Sequence, residues 1–141
     1  MKRVEKATEL RNCGYNCAQA VFASFADLYG MDEVTALKLS TSMGGGIGGT
    51  RNVCGAVSAM AMVAGLETGI SDAEDKDGKK RNYDIVKSLL DEFEKENGSV
   101  VCKELLGLVE TPVPLKKKPC MEYIRFCAQL VEEKLLKDKD I

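Results

Sequence analysis

The 141-residue chain contains no histidine and no tryptophan, and aromatic residues make up only 6% of it. Without histidine there is no imidazole general base, no Ser-His-Asp triad, no Cys-His pair and no His-containing zinc site. The scarcity of aromatic side chains predicts a core of aliphatic residues. These absences exclude several common kinds of catalytic site and direct attention to the other reactive side chains.

Long hydrophobic stretches are also missing. The longest nearly apolar run, residues 53–66, has 14 residues and falls short of the roughly 20 that a helix needs to cross a bilayer. Residues 1–12 are charged and lack the apolar centre of a signal peptide. We therefore expect a cytoplasmic protein that is not an integral membrane protein, with the apolar run forming a buried helix.

No excess of charge of one sign is present, because 20 basic and 22 acidic side chains leave a net charge of -2. A chain without a strong positive field is a poor nucleic-acid binder, so we expect no nucleic-acid partner. Hydrophobic residues at 45% and charged residues at 30% are typical of a globular protein. The length predicts one domain that covers residues 1–141.

The hydrophobic periodicity is helical almost throughout, and no segment shows convincing strand alternation. The sequence therefore predicts an all-α bundle of about six to seven helices. Small side chains in residues 53–68 leave little bulk on any face, so this helix is expected at the centre of the bundle. The predicted helices cover residues 4–12, 16–29, 33–41, 53–68, 83–96, 100–106 and 119–137, with a polar connection over residues 70–80. Gly30 is expected to end the second helix, Asp32 to cap the third, and Asn97-Gly98 to end the fifth.

A glycine-rich stretch, Gly44-Gly45-Gly46-Ile47-Gly48-Gly49, precedes the predicted central helix. It matches G-x-G-x-x-G formally, but a dinucleotide site needs a preceding strand and an acidic partner, and a P-loop needs a lysine where Thr50 stands. The favoured interpretation is a tight connection between two packed helices. A small anion held by backbone N-H groups remains an alternative.

Six cysteines are the most informative feature of the chain. Four of them, Cys17, Cys54, Cys102 and Cys120, fall at or near the starts of predicted helices, with Asn52 or Thr50 expected to cap the helix that carries Cys54. Unpaired N-H groups at a helix start stabilise a thiolate and make cysteine nucleophilic or able to bind a metal. Cys13 and Cys127 are better explained as structural residues, since cysteine is often a small buried hydrophobe.

Several spaced motifs resemble the C-GCAxxG-C-C family of putative redox-active proteins. They are Gly14-Tyr15-Asn16-Cys17-Ala18-Gln19-Ala20-Val21, Gly44-Gly45-Gly46, Val53-Cys54-Gly55-Ala56, Cys102-Lys103-Glu104-Leu105-Leu106-Gly107 and Cys120. The resemblance covers roughly residues 5 to 135 and implies a set of four characteristic cysteines, matched here by Cys17, Cys54, Cys102 and Cys120. One position departs from the family pattern, because Ala59 stands where the CGAxxG motif ends in glycine.

Three hypotheses for function follow. In the first, two or more of Cys17, Cys54, Cys102 and Cys120 cycle between dithiol and disulfide with an unidentified redox partner protein or small molecule. Cys54 is then expected to attack, with Arg51 favouring its thiolate, and Cys17 to resolve. In the second, the four thiolates bind an iron-sulfur cluster or zinc. In the third, the chain is a non-catalytic helical protein that binds a partner; a homo-oligomer is compatible with all three.

Overall fold

The computed structural model describes residues 2–141, which form seven α-helices, a 3₁₀ turn and a π-helical segment. The helices are α1 (Lys2–Asn12), α2 (Cys17–Ala23), α3 (Glu33–Thr41), α4 (Gly55–Thr68), α5 (Lys76–Asn97), α6 (Cys102–Leu105) and α7 (Cys120–Leu130). The 3₁₀ turn is Ala26–Tyr29, and the π-helical segment Val131–Leu135 continues α7. No β-strand occurs within residues 2–141, so the prediction of an all-α bundle is confirmed.

Helix α4 lies at the centre and packs against α2, α5 and α7. Small residues make this possible: a Cβ on Gly55 would stand 3.0 Å from the carbonyl oxygen of Met43 and 3.3 Å from the backbone nitrogen of Ala18. Ala56 and Ala59 are fully buried in the same helix. The prediction of a central small-residue helix is confirmed, and the apolar run forms this buried helix.

The start of α2 is closed by a capping box. The Asn16 side-chain oxygen accepts a hydrogen bond from the backbone N-H of Gln19 at 2.9 Å, and the Gln19 side-chain oxygen accepts one from the backbone N-H of Asn16 at 3.0 Å. The two residues satisfy each other's free donors, as capping boxes do. Cys17 is thereby held as the first residue of a well-defined helix.

Replacing Asn16 with alanine is expected to lower the free energy of unfolding by about 1 kcal/mol, because the cap of α2 is lost. Urea denaturation measures the change. Asn16→Ser is the matched control, since serine keeps a side-chain oxygen that can accept from the Gln19 N-H. An equal loss in both variants would contradict the capping role.

The second predicted helix is shorter than expected. It ends at Ala23 because the Ser24 hydroxyl donates to the Val21 carbonyl at 2.7 Å, while the guanidinium of Arg3 donates to the Ser24 carbonyl at 3.0 Å. The chain continues as the 3₁₀ turn up to Gly30, where the predicted stop is confirmed by a left-handed φ of 79°. The local sequence pattern predicts one continuous helix over residues 16–29. The contact from Arg3 of α1, which is distant in sequence, divides it into α2 and the 3₁₀ turn.

The polar connection predicted over residues 70–80 is also too long. Helix α5 begins at Lys76, where the Asp75 carboxylate accepts a hydrogen bond from the Gly78 N-H at 2.9 Å. Its first turns are solvent-exposed and polar, and its buried apolar side chains, Leu89 and Phe93, lie in later turns. A helix that buries little at its start gives a weak periodic signal.

The last predicted helix changes character before its expected end. The regular α-helical part stops at Leu130, and the π-helical segment Val131–Leu135 follows, closed by a hydrogen bond from the Leu136 N-H to the Val131 carbonyl at 2.9 Å. In this segment the Glu132 carboxylate accepts a hydrogen bond from the Arg3 N-H at 2.6 Å. This bond ties the end of the bundle to the start of α1.

Within residues 2–141, no helix combines the length and the apolar character that spanning a membrane would require.

Candidate functional site

Four cysteines stand at the starts of four helices, as the sequence predicts. Cys17, Cys102 and Cys120 are the first residues of α2, α6 and α7, and Cys54 is the N-cap residue of α4. The expected side-chain cap from Thr50 or Asn52 is wrong: Cys54 takes the N-cap position, and the Asn52 amide donates to the Thr50 hydroxyl instead. The cysteine positions are correct even though this cap is not.

The starts of α4 and α6 are joined by a single antiparallel β-bridge between Val53 and Val101. The Cys54 N-H donates to the Val100 carbonyl at 2.8 Å, and the Cys102 N-H donates to the Asn52 carbonyl at 2.5 Å. These bonds use backbone groups that would otherwise be free at the two helix starts. They also bring Cys54 and Cys102 to one edge of the bundle.

The glycine-rich loop closes the same edge. Gly46 has a φ of 69°, and a Cβ at this position would lie 2.6 Å from the Asn52 nitrogen and 2.7 Å from the Arg51 carbonyl carbon. Only glycine allows the loop to fold this closely over Arg51 and Asn52, which lead into Cys54. The loop thus connects α3 to α4 tightly, but these two helices pack mainly against α2 rather than against each other, so the predicted direct packing is wrong.

The loop and the four helix starts enclose a small cavity, called here the thiol cavity, with a volume of about 40 Å³. All four predicted site cysteines line it, together with Arg51 and part of the glycine-rich loop, which the sequence also singled out, and with residues that it did not. Its walls comprise Cys17, Cys54, Cys102, Cys120, Gly45, Gly46, Arg51, Gly55, Leu105, Leu106 and Tyr123. Tertiary structure therefore brings together the cysteines that the motifs scatter along most of the chain.

Within the thiol cavity, Cys17 and Cys120 are neighbouring side chains, and each has a larger effect on the pKa of the other than any other group has. Interaction with the Cys17 thiol lowers the pKa of Cys120 to about 6, and the positive charges of Arg11 and Arg51 lower it further against the opposing effect of burial. The same interaction, followed by burial, raises the pKa of Cys17 strongly. The arrangement therefore favours a thiolate at Cys120 beside a protonated thiol at Cys17.

Cys54 does not fit the expected role of attacking thiol. It is only 5% exposed, and burial raises its pKa to about 11 although the N-H groups of Val57 and Ala56 oppose this rise. The expected exposure of this sulfur by the glycine loop is therefore wrong. Helix-start N-H groups do not compensate for the removal of water from a buried thiolate, so the structure favours another cysteine for the attacking role.

Arg51 interacts with Cys102 and Cys120 rather than with Cys54, whose thiolate it was expected to favour. Its guanidinium donates to the Cys102 sulfur at 3.8 Å, and its charge acts on Cys120. The side chain is directed there by a left-handed backbone at Arg51, with φ of 63° and its N-H bonded to the Gly45 carbonyl at 2.9 Å.

The second arginine, Arg11, was missed by sequence reasoning. Its guanidinium donates to the Tyr15 carbonyl at 3.2 Å, which holds the end of α1 beside the turn into Cys17. Its positive charge also lowers the pKa of Cys120. Nothing in the local pattern around Arg11 indicates this effect, because it depends on how α1 packs against α7.

The remaining two cysteines lie outside the lining of the thiol cavity. Cys127 is fully buried in α7, and burial raises its pKa well above the usual value. This agrees with its interpretation as a core residue. Cys13 is exposed in the turn after α1 and not buried.

The alternative hypothesis, a metal site, would require a preformed set of ligands, and residues 2–141 contain none. Among residues 2–141, no group of three or more histidine, cysteine, aspartate or glutamate side chains is arranged to hold a metal ion.

Comparison with known proteins gives one match. A family model described as "Putative redox-active protein (C_GCAxxG_C_C)" matches residues 15–134. No curated protein and no solved structure matches the chain. The matched region contains all four cysteines of the thiol cavity.

Proposed function

The chain belongs to the C_GCAxxG_C_C family of putative redox-active proteins, and we propose that its activity is a dithiol-disulfide exchange carried by Cys17 and Cys120. The position of both side chains in the wall of one cavity carries the proposal. There they interact strongly, so that a thiolate at Cys120 is favoured beside a protonated resolving thiol at Cys17. Exchange reactions need this combination, since the thiolate attacks and a neighbouring thiol completes the disulfide.

Cys120 is the attacking residue. It is half-buried, so its sulfur can be reached from solvent, whereas Cys54 is buried. Its pKa of about 6 keeps it as thiolate near neutral pH, and a thiol of this pKa remains a good nucleophile. Arg11 and Arg51 stabilise the negative charge before the reaction.

The reaction balances with a disulfide-bearing partner as the oxidant. The Cys120 thiolate attacks one partner sulfur, and the other partner sulfur leaves as a thiolate that takes a proton from water. Cys17 then loses its proton to water and attacks the Cys120 sulfur, so the mixed disulfide breaks and the partner leaves as a second thiol. The protein gains the Cys17-Cys120 disulfide and transfers two electrons to the partner.

Cys54 and Cys102 belong to the same site in this proposal. They line the thiol cavity next to the reacting pair, and Cys102 lies against the Arg51 guanidinium. Cys54 is kept as a thiol by its burial. They provide the low-polarity wall that limits access of water to the exchanging sulfurs.

Limited oxidation by a small disulfide is expected to remove two of the six free thiols, Cys17 and Cys120. Thiol counting and mass spectrometry of peptides measure the loss and map the bond. In Cys17→Ser, the reaction should stop at a mixed disulfide on Cys120, because the resolving thiol is missing. The matched control Cys13→Ser changes a cysteine outside the cavity and should behave like the unaltered protein.

Two results would contradict the proposal. One is a first disulfide that maps to Cys54 and Cys102 rather than to Cys17 and Cys120. The other is stoichiometric iron or zinc in protein purified without oxygen, with the four cavity thiols protected from the oxidant until the metal is removed.

A further inference from the structure

The thiol cavity is far smaller than a typical substrate pocket. Its volume is about 40 Å³, whereas pockets for small molecules typically measure roughly 300 to 1,000 Å³. One water molecule occupies about 30 Å³ in the liquid. Cys17, Cys102 and Cys120 in its wall are partly exposed, so a molecule slightly larger than water can enter from solvent, whereas a molecule the size of an amino acid cannot fit inside.

The charges around the thiol cavity favour an uncharged molecule. The wall favours a thiolate at Cys120, and like charges repel strongly where little water separates them. Among those of residues 2–141 that line the cavity, Arg51 is the one cation, and its guanidinium already lies against the Cys102 sulfur at 3.8 Å. A second anion in this space would therefore face the thiolate with little compensation, whereas a neutral molecule avoids this repulsion.

The wall also offers hydrogen-bond donors to an oxygen atom. Gly45 and Gly46 line the cavity, and their carbonyls accept the N-H groups of Arg51 and Asn52, both at 2.9 Å. Their own N-H groups donate to no backbone carbonyl within residues 2–141. Successive N-H groups in a turn form a concavity that stabilises negative charge. Together with the Arg51 guanidinium, they can stabilise an oxygen atom on which negative charge develops during a reaction.

Hydrogen peroxide meets all three conditions. It is one oxygen atom larger than water, it is uncharged near neutral pH, and its oxygens accept hydrogen bonds. A thiolate reduces it to water and becomes a sulfenic acid, which condenses with a thiol to form a disulfide. Cysteines that react in this way have a low pKa, are reached from solvent and lie next to a resolving cysteine. Cys120, beside Cys17, has all three properties.

We propose that the thiol cavity is a binding site for hydrogen peroxide, which Cys120 reduces with Cys17 as the resolving residue. The inference rests on the proposed dithiol chemistry of this pair and gives it a second oxidant besides a disulfide. Arg51 and the N-H groups of Gly45 and Gly46 bind the peroxide oxygens. The small volume of the cavity excludes larger hydroperoxides.

The reaction consumes one peroxide and yields two waters. The Cys120 sulfur attacks one peroxide oxygen, the O-O bond breaks, and the other oxygen leaves with the electron pair as hydroxide, which takes up a proton from solvent. Cys17 then loses its proton, and its sulfur attacks the sulfenic acid on Cys120. The hydroxyl group leaves as hydroxide and takes that proton, so the Cys17-Cys120 disulfide forms. Exchange with a dithiol, as electron donor, restores the pair.

A trapping experiment locates the oxidised sulfur. In Cys17→Ser the resolving thiol is missing, so dimedone added together with one equivalent of hydrogen peroxide should label Cys120, as mapped by mass spectrometry of peptides. The exposed Cys13 is the internal reference and should carry much less label. Label mainly at Cys13 would contradict reaction in the cavity.

The size of the cavity predicts a preference among peroxides. For the unaltered protein, the rate of Cys120 oxidation by hydrogen peroxide is divided by the rate with tert-butyl hydroperoxide. This ratio should be at least about 10-fold larger in folded protein than in protein unfolded in urea, because the bulkier compound does not fit the folded site. The unfolded chain supplies the same thiols without the cavity.

Arg51→Gln tests the binding of the leaving oxygen. Because this variant also alters the thiolate population of Cys120, the rate with hydrogen peroxide is divided by the rate of alkylation with iodoacetamide. The quotient should fall at least about 10-fold, since the loss of one donor to a developing oxyanion costs roughly 100-fold or more in rate. Arg81→Gln, at an exposed position of α5, is the matched control and should leave the quotient unchanged.

Failure of the peroxide site and failure of the exchange function give different results. Either an equal peroxide ratio in folded and unfolded protein, or rates with peroxide and iodoacetamide that fall together in Arg51→Gln, overturns the peroxide site. A Cys17-Cys120 disulfide that still forms with a small disulfide then preserves the exchange function. A Cys120 that reacts with neither oxidant overturns both.

Discussion

Replacing Cys120 with serine is expected to slow the first thiol exchange by at least about 100-fold near neutral pH and to abolish the disulfide with Cys17. Cys120 is held as thiolate with a pKa of about 6, whereas Cys54 has a pKa of about 11. Each pKa unit changes the thiolate population tenfold, so roughly one Cys54 in 10⁴ is ionised near neutral pH. The lower nucleophilicity of a low-pKa thiolate offsets only part of this difference.

The pH dependence identifies the residue that reacts. Cys120 gains its negative charge as pH rises through its pKa, so alkylation of this thiol should be half-maximal near pH 6 and level off above it. Mass spectrometry after brief treatment with iodoacetamide at a series of pH values gives this profile. In Cys120→Ser the component that titrates near pH 6 should disappear, and the pKa of Cys17 should fall because the neighbouring thiolate is removed.

Controls distinguish this result from general damage. Cys127→Ser tests the core without touching the thiol cavity, and Cys13→Ser tests an exposed turn. Cys13→Ser should retain the component near pH 6. If Cys120→Ser retained it as well and Cys54→Ser removed it, attack by Cys54 would replace attack by Cys120 in the mechanism.

Replacing Gly46 with alanine is expected to lower the free energy of unfolding by about 2 to 4 kcal/mol. A left-handed φ of 69° costs a non-glycine residue roughly 1 to 2 kcal/mol. The added methyl group would also overlap backbone atoms of Arg51 and Asn52, which cannot move aside as a flexible side chain can. Urea denaturation measures the loss.

Gly48→Ala separates the two causes. Gly48 has a similar left-handed φ of 59°, but a Cβ there would meet no atom within 4 Å. This variant should lose only about 1 kcal/mol, the cost of the backbone conformation alone. Equal losses in the two variants would show that the close approach of Gly46 to Arg51 and Asn52 is unimportant for stability.

The Gly46 substitution should also affect the site. Arg51 and Asn52 lead directly into the bridge that positions Cys54 and Cys102, through the bond from the Cys102 N-H to the Asn52 carbonyl. A displaced backbone would move the Arg51 guanidinium away from Cys102 and Cys120. The alkylation profile of Cys120 in Gly46→Ala should therefore shift to higher pH, while that of Gly48→Ala should not.

Parts of the fold that depend on neighbouring residues were predicted well. Asp32 caps α3 through the Thr35 N-H at 3.0 Å, and Gly30 and Gly98 end their elements with left-handed backbones. The exceptions involve distant contacts, as where Arg3 takes the Ser24 carbonyl and shortens the second predicted helix. Local signals fail where a partner from elsewhere in the chain competes for the same backbone group.

The sequence by itself determined the all-α class, the small-residue central helix and the places of four cysteines at helix starts. Caps, glycines and apolar spacing act over a few residues, so they can be interpreted without a structure. Only the tertiary structure decided that Cys17 and Cys120 become neighbours, because they meet through the packing of α2 against α7. It also decided that Cys54 is buried whereas Cys120 lies near the charges of Arg11 and Arg51, since burial and the positions of the two arginines depend on the folded arrangement of the whole chain.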